Sequence, residues 1–115
     1  RIQEKVRGIG FDWDNKKQVW DKVLEELDEL QHEVNHGTKD TIESEFGDVL
    51  FALINYSRFV DVNPENALER TNKRFIRRFQ IMEKLINEKN LSLDNMSLDQ
   101  MDVYWEKAKK KEQSF

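Results

Sequence analysis

Two groups of acidic residues at helical spacing are the part of this sequence best suited to chemistry. Glu25-Glu26-x-x-Glu29 is followed further along the chain by Glu45-x-x-Asp48. Residues three apart on a helix are neighbours, so each group projects two carboxylates from one edge of its helix. Four carboxylates that face each other would form an oxygen-rich site for a hard divalent cation, and Mg²⁺ is the usual occupant where phosphates are bound. The two groups therefore indicate a phosphate-handling enzyme.

The composition limits the classes of protein to which the chain can belong. Its 115 residues suit a single domain, 1–115, and the equal shares of hydrophobic and charged residues, 37% each, suit thin helical layers with wide solvated faces. The 19 basic and 23 acidic residues give a net charge of −4, which argues against nucleic-acid binding. Cysteine is absent, which excludes disulfides and thiolate metal sites. No apolar run approaches the roughly 18 residues of a membrane span, so we expect a cytoplasmic protein without a membrane partner.

Apolar residues recur at helical intervals along the whole chain, which predicts an all-α fold, a small bundle of about four helices. After a lead-in over 1–13, the first helix is predicted over about 16–36, with Gly37 as its terminator. Asp40 and Glu43 predict the start of a second helix that continues to about Val60. These two helices carry both acidic groups.

The second half of the chain predicts two more helices. Asn63-Pro64 is a cap followed by a first-turn proline, and the third helix is predicted to run from there to about Lys89. Ser97-Leu98-Asp99-Gln100 has the form of a capping box and opens a fourth helix to about Lys110. We expect the tail after it to fray.

The second helix is apolar on nearly all sides. One face is lined by Ile42, Phe46, Val49, Leu50, Leu53, Ile54 and Ser57. Phe51 and Phe59 lie on other faces, so this helix is predicted to be central. Together with the modest apolar content of the chain, it predicts that the bundle is completed in a homodimer of paired hairpins.

A helical wheel places the acidic groups on matched flanks of the first two helices. Glu26, Glu29 and Glu33 lie with Lys22 beside the apolar face of the first helix, and Glu45 and Asp48 lie with Ala52 and Asn55 beside that of the second. A single carboxylate beside the apolar face of a helix is usually solvated by water or paired with a lysine. Four held together without a cation would repel one another and raise their own pKa values. The matched flanks therefore favour a shared cation over surface charge.

The acidic motif is accompanied by further segments in a recognisable order. They are 10–13 (Gly-Phe-Asp-Trp), 47–52 (Gly-Asp-Val-Leu-Phe-Ala), 72–79 (Asn-Lys-Arg-Phe-Ile-Arg-Arg-Phe) and 101–105 (Met-Asp-x-x-Trp). With the acids they resemble the MazG-type nucleoside triphosphate pyrophosphohydrolases of the all-α superfamily over nearly the whole chain. The opening 1–5 (Arg-Ile-Gln-Glu-Lys) is similar to the linker into the C-terminal MazG domain of longer members, so we expect a piece of a longer chain.

The resemblance implies Mg²⁺-dependent hydrolysis of nucleoside triphosphates at the α–β bond, with Mn²⁺ as a possible substitute metal. The products are a monophosphate and pyrophosphate, water is the nucleophile, and the role is clearance of the nucleotide pool. Glu26, Glu29, Glu45 and Asp48 match the metal ligands of the family. Glu25 matches the first acid of the motif, which orients water, so catalysis is expected to depend on Glu25, Glu26 and Glu45.

The resemblance also assigns substrate contacts to Lys22, Arg74, Arg78, Trp105 and Lys109. Arg74 and Arg78 are one turn apart, and the planar fork of arginine can bond two phosphate oxygens. Without the resemblance, both arginines would be read as solvated charge and Trp105 as a core residue.

Three other positions carry less definite expectations. Trp13 and Asn55 are further candidates for contact with a base or ribose, and Asn55 could equally bond a neighbouring group. Members of the family can carry a lysine near the position of Thr41, whereas the nearest lysine here is Lys39.

Two alternatives stand beside this interpretation. His32-Glu33-Val34-Asn35-His36 matches the His-Glu-x-x-His pattern of zinc metallopeptidases, but the sequence has no third histidine. Histidines in a last helical turn are also explained by the helix dipole. The other alternative is a non-enzymatic helical interaction module, which would bind no Mg²⁺.

Overall fold

The computed structural model of the chain describes residues 15–113. They form α1 (Lys16–His36), α2 (Lys39–Phe59), α3 (Pro64–Glu88), a short 3₁₀ helix (Leu93–Asn95) and α4 (Leu98–Gln113). No strand occurs among these residues, so the predicted all-α class is confirmed. None of the described helices combines the length and apolarity needed to cross a membrane. The predicted lead-in over 1–13, with Trp13, lies outside the described residues.

The chain divides into two compact units, residues 1–64 and 65–115, and each is described here by itself. In the first unit, α1 has the predicted bounds. The Asn15 side chain accepts a hydrogen bond from the Gln18 amide at 3.0 Å and caps the helix start. At the other end the Gly37 amide donates to the Glu33 carbonyl at 2.7 Å. A Cβ at Gly37 would lie 2.4 Å from Thr41 Oγ1 and 2.9 Å from the Glu33 oxygen, so this turn has room only for glycine.

The second helix begins earlier than Asp40, the predicted start. Thr38 is extended and caps it: the Thr41 amide donates to Thr38 Oγ1 at 3.3 Å, and the Thr38 amide donates to Thr41 Oγ1 at 2.9 Å. This reciprocal pair is a capping box in which a second threonine replaces the usual acid. Asp40 lies inside the first turn, where its charge is favourable to the helix dipole.

The seam between α1 and α2 is narrow and partly polar. Its buried residues are Val19, Val23 and Glu26 on α1, and Val49, Ala52, Asn55 and Ser57 on α2. At its open end the rings of Trp20 and Tyr56 lie 5.0 Å apart between centroids. Many large apolar residues of the two helices are exposed: Trp20, Leu24, Leu27 and Val34 on α1, and Phe46, Leu50, Leu53 and Ile54 on α2. Medium-sized side chains fill the seam because it lies between only two helices.

The second unit has a more ordinary apolar core. Met82 and Ile86 of α3 pack with Ala108 of α4, and partly buried residues surround them: Phe79, Ile81, Leu93, Met96, Tyr104 and Trp105. The predicted capping box of α4 is present, because the Ser97 amide donates to Gln100 Oε1 at 2.8 Å and the Gln100 amide donates to Ser97 Oγ at 3.2 Å. The predicted end near Lys110 is wrong, since α4 continues to Gln113.

Candidate functional site

Three carboxylates of the acidic motif converge in the α1–α2 hairpin. One oxygen from each of Glu26, Glu29 and Glu45 lies within 4.8 Å of the other two. The i,i+3 spacing places Glu26 and Glu29 on one edge of α1, and the turn at Gly37 brings α2 back so that Glu45 faces them. The convergence that the sequence predicted for these three residues is therefore present. The Asp48 carboxylate is outside this group of three.

Two carboxylate oxygens of these residues are hidden from solvent without a hydrogen-bond partner. They are Glu26 Oε2 and Glu45 Oε2, which accept no hydrogen bond within residues 15–113. Glu26 as a whole is only 7% exposed. A buried carboxylate oxygen without a partner is destabilising, and it normally has a hydrogen bond or a cation. The cluster is thus locally incomplete.

The acids also perturb one another's ionisation. The Glu26 charge, with smaller contributions from desolvation and from Glu45, raises the pKa of Glu29. Desolvation, followed by the charges of Asp48, Glu26 and Glu33, raises the pKa of Glu45. A hydrogen bond with Glu26 adds to the raised pKa of Glu29, whereas one with Glu29 offsets part of the rise for Glu45. The proximity of the carboxylates therefore makes their simultaneous ionisation unfavourable.

Glu33 is an acid that we did not select as a functional residue from the sequence. It is half-buried, one turn beyond Glu29, and its charge contributes to the raised pKa of Glu45. Its place on the same flank of α1 was visible in the helical wheel. We did not select Glu33 because it lies beyond the last acid of the Glu-Glu-x-x-Glu motif.

Lys22 lies one turn before the acids and contacts two of them. Its Nζ is 3.1 Å from Glu26 Oε1 and 3.2 Å from Glu25 Oε2. The hydrogen bond to Glu26 is the largest cause of the raised pKa of Lys22, which keeps the ammonium charged. Glu25 thus lies outside the group of three converging acids and is bound to a lysine.

A pocket of about 210 Å³ opens beside this cluster. It is lined by Val19, Lys22, Glu26, Asp48, Phe51, Ala52 and Asn55. Asp48 therefore faces the same space as Glu26, although its carboxylate is not among the converging three. At a rise of 1.5 Å per residue, Asp48 and Asn55 are roughly 10 Å apart along α2, so the pocket has an acidic end and an end with an amide and an aromatic ring. The Asn55 side-chain oxygen accepts a hydrogen bond from Arg58 at 2.9 Å.

The residues present fit a hard divalent cation. The donors are all carboxylate oxygens, which suit Mg²⁺ and Mn²⁺ better than softer metals. Two carboxylate oxygens of the cluster are buried without partners. The charge of Glu26 is the main cause of the raised pKa of Glu29, and a bound cation would offset that repulsion. Asp48, on the adjoining wall of the pocket, is available as a further oxygen donor.

The predicted substrate contacts of the second unit lie on α3 and α4. Arg78 is half-buried, and its Nε donates to Glu112 Oε1 at 2.7 Å. Arg74 is exposed, and one of its terminal nitrogens lies 3.5 Å from Thr71 Oγ1. The Trp105 ring lies 5.2 Å from that of Phe75 between centroids and packs against the apolar core. This agrees with the alternative interpretation of Trp105 as a core residue. Their contact with substrate stays a prediction.

Lys109 follows Trp105 by one turn on α4. Its Nζ lies 3.5 Å from Glu106 Oε1 in a largely exposed ion pair. Such a pair is weak and can exchange for another anion.

His32 and His36 do not form a metal centre with a third ligand. Their rings are 4.8 Å apart and tilted, and His32 Nε2 lies 3.9 Å from a Glu33 oxygen. Over residues 15–113, the only group of three or more metal-binding side chains close enough to share an ion is Glu26, Glu29 and Glu45. The zinc alternative therefore has no structural support.

An all-α fold that presents an all-carboxylate cluster beside a lysine-lined pocket is typical of helical proteins that bind a hard cation together with an anionic ligand. Within that class the chain belongs to the MazG nucleotide pyrophosphohydrolase family, because the MazG nucleotide pyrophosphohydrolase domain matches residues 15–89. The match includes every acid of the cluster and the predicted phosphate contacts Arg74 and Arg78. Trp105 and Lys109 lie after it.

Similarity to individual relatives extends over more of the chain. It is 44% identical over 111 residues to the nucleoside triphosphate pyrophosphohydrolase/pyrophosphatase MazG of Thermotoga maritima, which covers 95% of this chain and 42% of that protein. It is 35% identical over 114 residues to the nucleoside triphosphate pyrophosphohydrolase of Escherichia coli, covering 97% and 43%. An uncharacterized protein of Bacillus subtilis, YabN, is 41% identical over 84 residues, covering 73% and 16%. The chain thus spans less than half the length of these relatives.

Proposed function

We propose that this chain hydrolyses nucleoside triphosphates to a nucleoside monophosphate and pyrophosphate, with Mg²⁺ as cofactor and Mn²⁺ as a substitute. The observation that carries the proposal is the cluster of Glu26, Glu29 and Glu45, in which two buried oxygens have no partner. The family match and the names of the two pyrophosphohydrolase relatives supply the reaction class. Carboxylate geometry alone would serve any cation-dependent phosphate chemistry.

We assign the cation to Glu26, Glu29 and Glu45, with Asp48 as the fourth oxygen donor. A cation held there would neutralise charge on the phosphate oxygens and make the attacking water easier to deprotonate. Glu25 would accept a hydrogen bond from the attacking water and orient it, and Lys22, which contacts both Glu25 and Glu26, would bind a phosphate oxygen. A lysine with a raised pKa remains cationic at neutral pH and is suited to that role.

The balance of the reaction requires no covalent intermediate on the protein. Water adds across the α–β phosphoanhydride bond, its oxygen joins one phosphorus, and the bridging oxygen leaves with the other. The leaving group carries additional negative charge in the transition state, whichever phosphorus is attacked. Positive groups held in place before the reaction stabilise that charge more effectively than mobile water does.

The size of the pocket implies that further contacts lie outside it. About 210 Å³ is below the roughly 300–1,000 Å³ of typical small-molecule sites. It can therefore hold only part of a nucleoside triphosphate. We assign phosphate contacts to Arg74 and Arg78 and later substrate contacts to Trp105 and Lys109.

The proposal is tested by incubating the purified chain with each nucleoside triphosphate and Mg²⁺ and measuring pyrophosphate and orthophosphate separately. We expect pyrophosphate. Glu45→Gln should reduce turnover by about a hundredfold or more, because it removes a charged oxygen donor from the cluster. The matched control is Glu43→Gln, an exposed acid of the same helix outside the cluster.

Circular dichroism should show unchanged helix content in both variants. Orthophosphate as the only product would indicate cleavage of another bond. No turnover of any triphosphate would support the alternative of a helical interaction module. Full activity of Glu45→Gln would contradict the assignment of the cation site.

We further propose that the chain forms a homodimer through the apolar surface of the hairpin and acts in the cytoplasm. Phe46, Leu50, Leu53 and Ile54 of α2 are each between 42% and 53% exposed. Exposed apolar residues concentrated on one element are typical of an interface. Sedimentation velocity should give twice the chain mass, whereas a monomer at micromolar concentration would contradict the proposal.

A further inference from the structure

Glu112 binds two adjacent arginines of α3 from the last turn of α4. Its Oε1 accepts a hydrogen bond from Arg78 Nε at 2.7 Å, and its Oε2 lies 3.5 Å from Arg77 Nε. The residue follows Lys109 by three positions, so it lies on the same side of α4 one turn later. One carboxylate thus links α3 and α4, and the two residues of the hydrogen bond, Arg78 and Glu112, are 34 positions apart in the sequence.

This ion pair differs from an ordinary surface pair in its burial. The side chains of Glu112 and Arg78 are 17% and 22% exposed. Glu112 Oε2 is hidden from solvent and makes no hydrogen bond within the described residues. The hydrogen bond from Arg78 is the main cause of the lowered pKa of Glu112, so the carboxylate stays ionised. A partly desolvated, charge-assisted bond constrains the guanidinium more than an exposed pair would.

The atom through which Arg78 is bound determines what the arginine can still do. Glu112 contacts Nε, the inner nitrogen of the guanidinium. Among the described residues, the hydrogen bond of Arg78 to Glu112 is made through Nε, and neither oxygen of Glu112 accepts one from the terminal nitrogens. A carboxylate that occupied those terminal nitrogens would compete with phosphate for them. One bound at Nε fixes the plane of the group and leaves the terminal donors available.

We propose that Glu112 is a positioning residue that holds the Arg78 guanidinium in the orientation that receives the phosphate chain of the substrate. This inference rests on the proposed function, in which Arg78 binds phosphate. Arginine has a flexible side chain, and holding it in one geometry before binding removes an ordering cost from the binding step. Glu112 itself does not touch the substrate.

The Glu112 carboxylate can also act against phosphate binding. Glu112 carries a negative charge that repels phosphate, and removal of that charge would by itself tighten anion binding. Positioning predicts weaker binding when the carboxylate is removed. The direction of the change therefore distinguishes positioning from competition.

The experiment measures calorimetric binding of inorganic tripolyphosphate in the presence of Mg²⁺ at fixed ionic strength. The variants are Glu112→Ala, the better-packed Glu112→Gln, Arg78→Ala and the double variant Glu112→Ala/Arg78→Ala. Glu83→Ala is the matched control, since Glu83 is an exposed acid of α3 outside this ion-pair group. Steady-state kinetics with a nucleoside triphosphate are recorded for the same proteins.

We expect Glu112→Ala to weaken tripolyphosphate binding and raise KM by about tenfold with little change in kcat. Glu112→Gln should have a smaller effect in the same direction, because its amide oxygen can still accept from Arg78 Nε. In the Arg78→Ala background, Glu112→Ala should cause no further loss, since there is no guanidinium left to position. Glu83→Ala should behave as the unmodified protein.

Unchanged or tighter binding by Glu112→Ala and Glu112→Gln would overturn the inference. So would additive losses in the double variant, which would indicate a general structural role. A protein that binds tripolyphosphate but hydrolyses no nucleotide would contradict the proposed reaction, and the binding series would still decide the role of Glu112. Failure of the unmodified protein to bind tripolyphosphate would contradict both.

Discussion

The α1–α2 hairpin and the α3–α4 unit differ in the charged groups that surround their buried carboxylates. In the hairpin, Glu26, Glu29 and Glu45 converge, and among the described residues a single cation, Lys22, pairs with one oxygen of Glu26. In the α3–α4 unit, Glu112 is also largely buried, but two arginines bind it. One region holds like charges together, and the other neutralises its acid within the chain.

The apolar core and the acidic cluster lie in different units of this protein. Ile86 and Ala108 are fully buried in the second unit and form a core with Met82. The hairpin seam buries smaller residues and includes Glu26 and Asn55 among them. Burial of charge without a partner costs free energy that an apolar residue would not. The hairpin is therefore the region whose stability should depend on a bound ligand.

The largest effect is expected in the apolar core of the second unit. Ile86→Ala should lower the free energy of unfolding by about 2–5 kcal/mol, because it leaves a cavity at a side chain that is 1% exposed. Ile76→Ala, on the same helix but 54% exposed, should change it by about 0.5 kcal/mol or less. Chemical denaturation measures both. Equal losses of unfolding free energy in the two variants would show that Ile86 is not part of an apolar core.

The next effect concerns the cation and should be confined to the hairpin. Mg²⁺ at about 100 times its Kd should stabilise the protein by roughly 2.7 kcal/mol through preferential binding to the folded state. Glu26→Gln should lose most of this shift, and without a divalent cation it should be at least as stable as the unmodified protein, because repulsion within the cluster is relieved. Thermal unfolding with Mg²⁺ and with chelator tests this. The exposed Glu43→Gln variant should keep the full shift, and a shift retained in Glu26→Gln would remove that residue from the site.

The smallest effect is a difference in sign between the two regions as the pH changes. Burial and neighbouring acids raise the pKa of Glu45 above its ordinary 4.5, so its contribution to stability is present at lower pH and is lost as the pH rises through the folded value. The hydrogen bond from Arg78 lowers the pKa of Glu112, so its contribution is present above the ordinary value and is lost as the pH falls through the folded value.

Unfolding free energies measured with chelator between about pH 3 and 7 should reveal this contrast. The differences between the unmodified protein and Glu45→Gln, and between the unmodified protein and Glu112→Gln, should change with pH in opposite directions. Parallel curves would show that the two acids have similar surroundings.

Local signals in the sequence predicted the helices well. Gly37, Pro64 and Ser97 act within a few residues of themselves, and the predicted bounds of α1 are those observed. The start of α2 was placed too late because Asp40 and Glu43 match the common capping pattern, whereas Thr38 and Thr41 satisfy each other in the structure. The 3₁₀ helix at Leu93–Asn95 was not predicted, since one short turn produces no periodicity.

Interactions between distant segments were harder to predict. The convergence of Glu26, Glu29 and Glu45 followed from the wheel because a short turn fixes how two helices pair. The pair of Arg78 and Glu112 could not be found, since it joins separate helices and Glu112 lies in a segment predicted to fray. Burial was also misjudged on α2, because periodicity identifies an apolar face but not what covers it.

The close approach at Gly37 makes the length of the hairpin turn one of the conditions under which the carboxylates of the two helices converge. Glu45 and Asp48 have their orientation relative to α1 only because two residues, Gly37 and Thr38, separate the helices. One residue inserted in α2 between the Thr38 cap and Glu45 would rotate both acids by about 100° around the helix axis and carry them away from the seam. Such an insertion would leave every acid in the sequence and still abolish the site. A search for this site in other sequences should therefore score the spacing across the turn as strictly as the acids themselves.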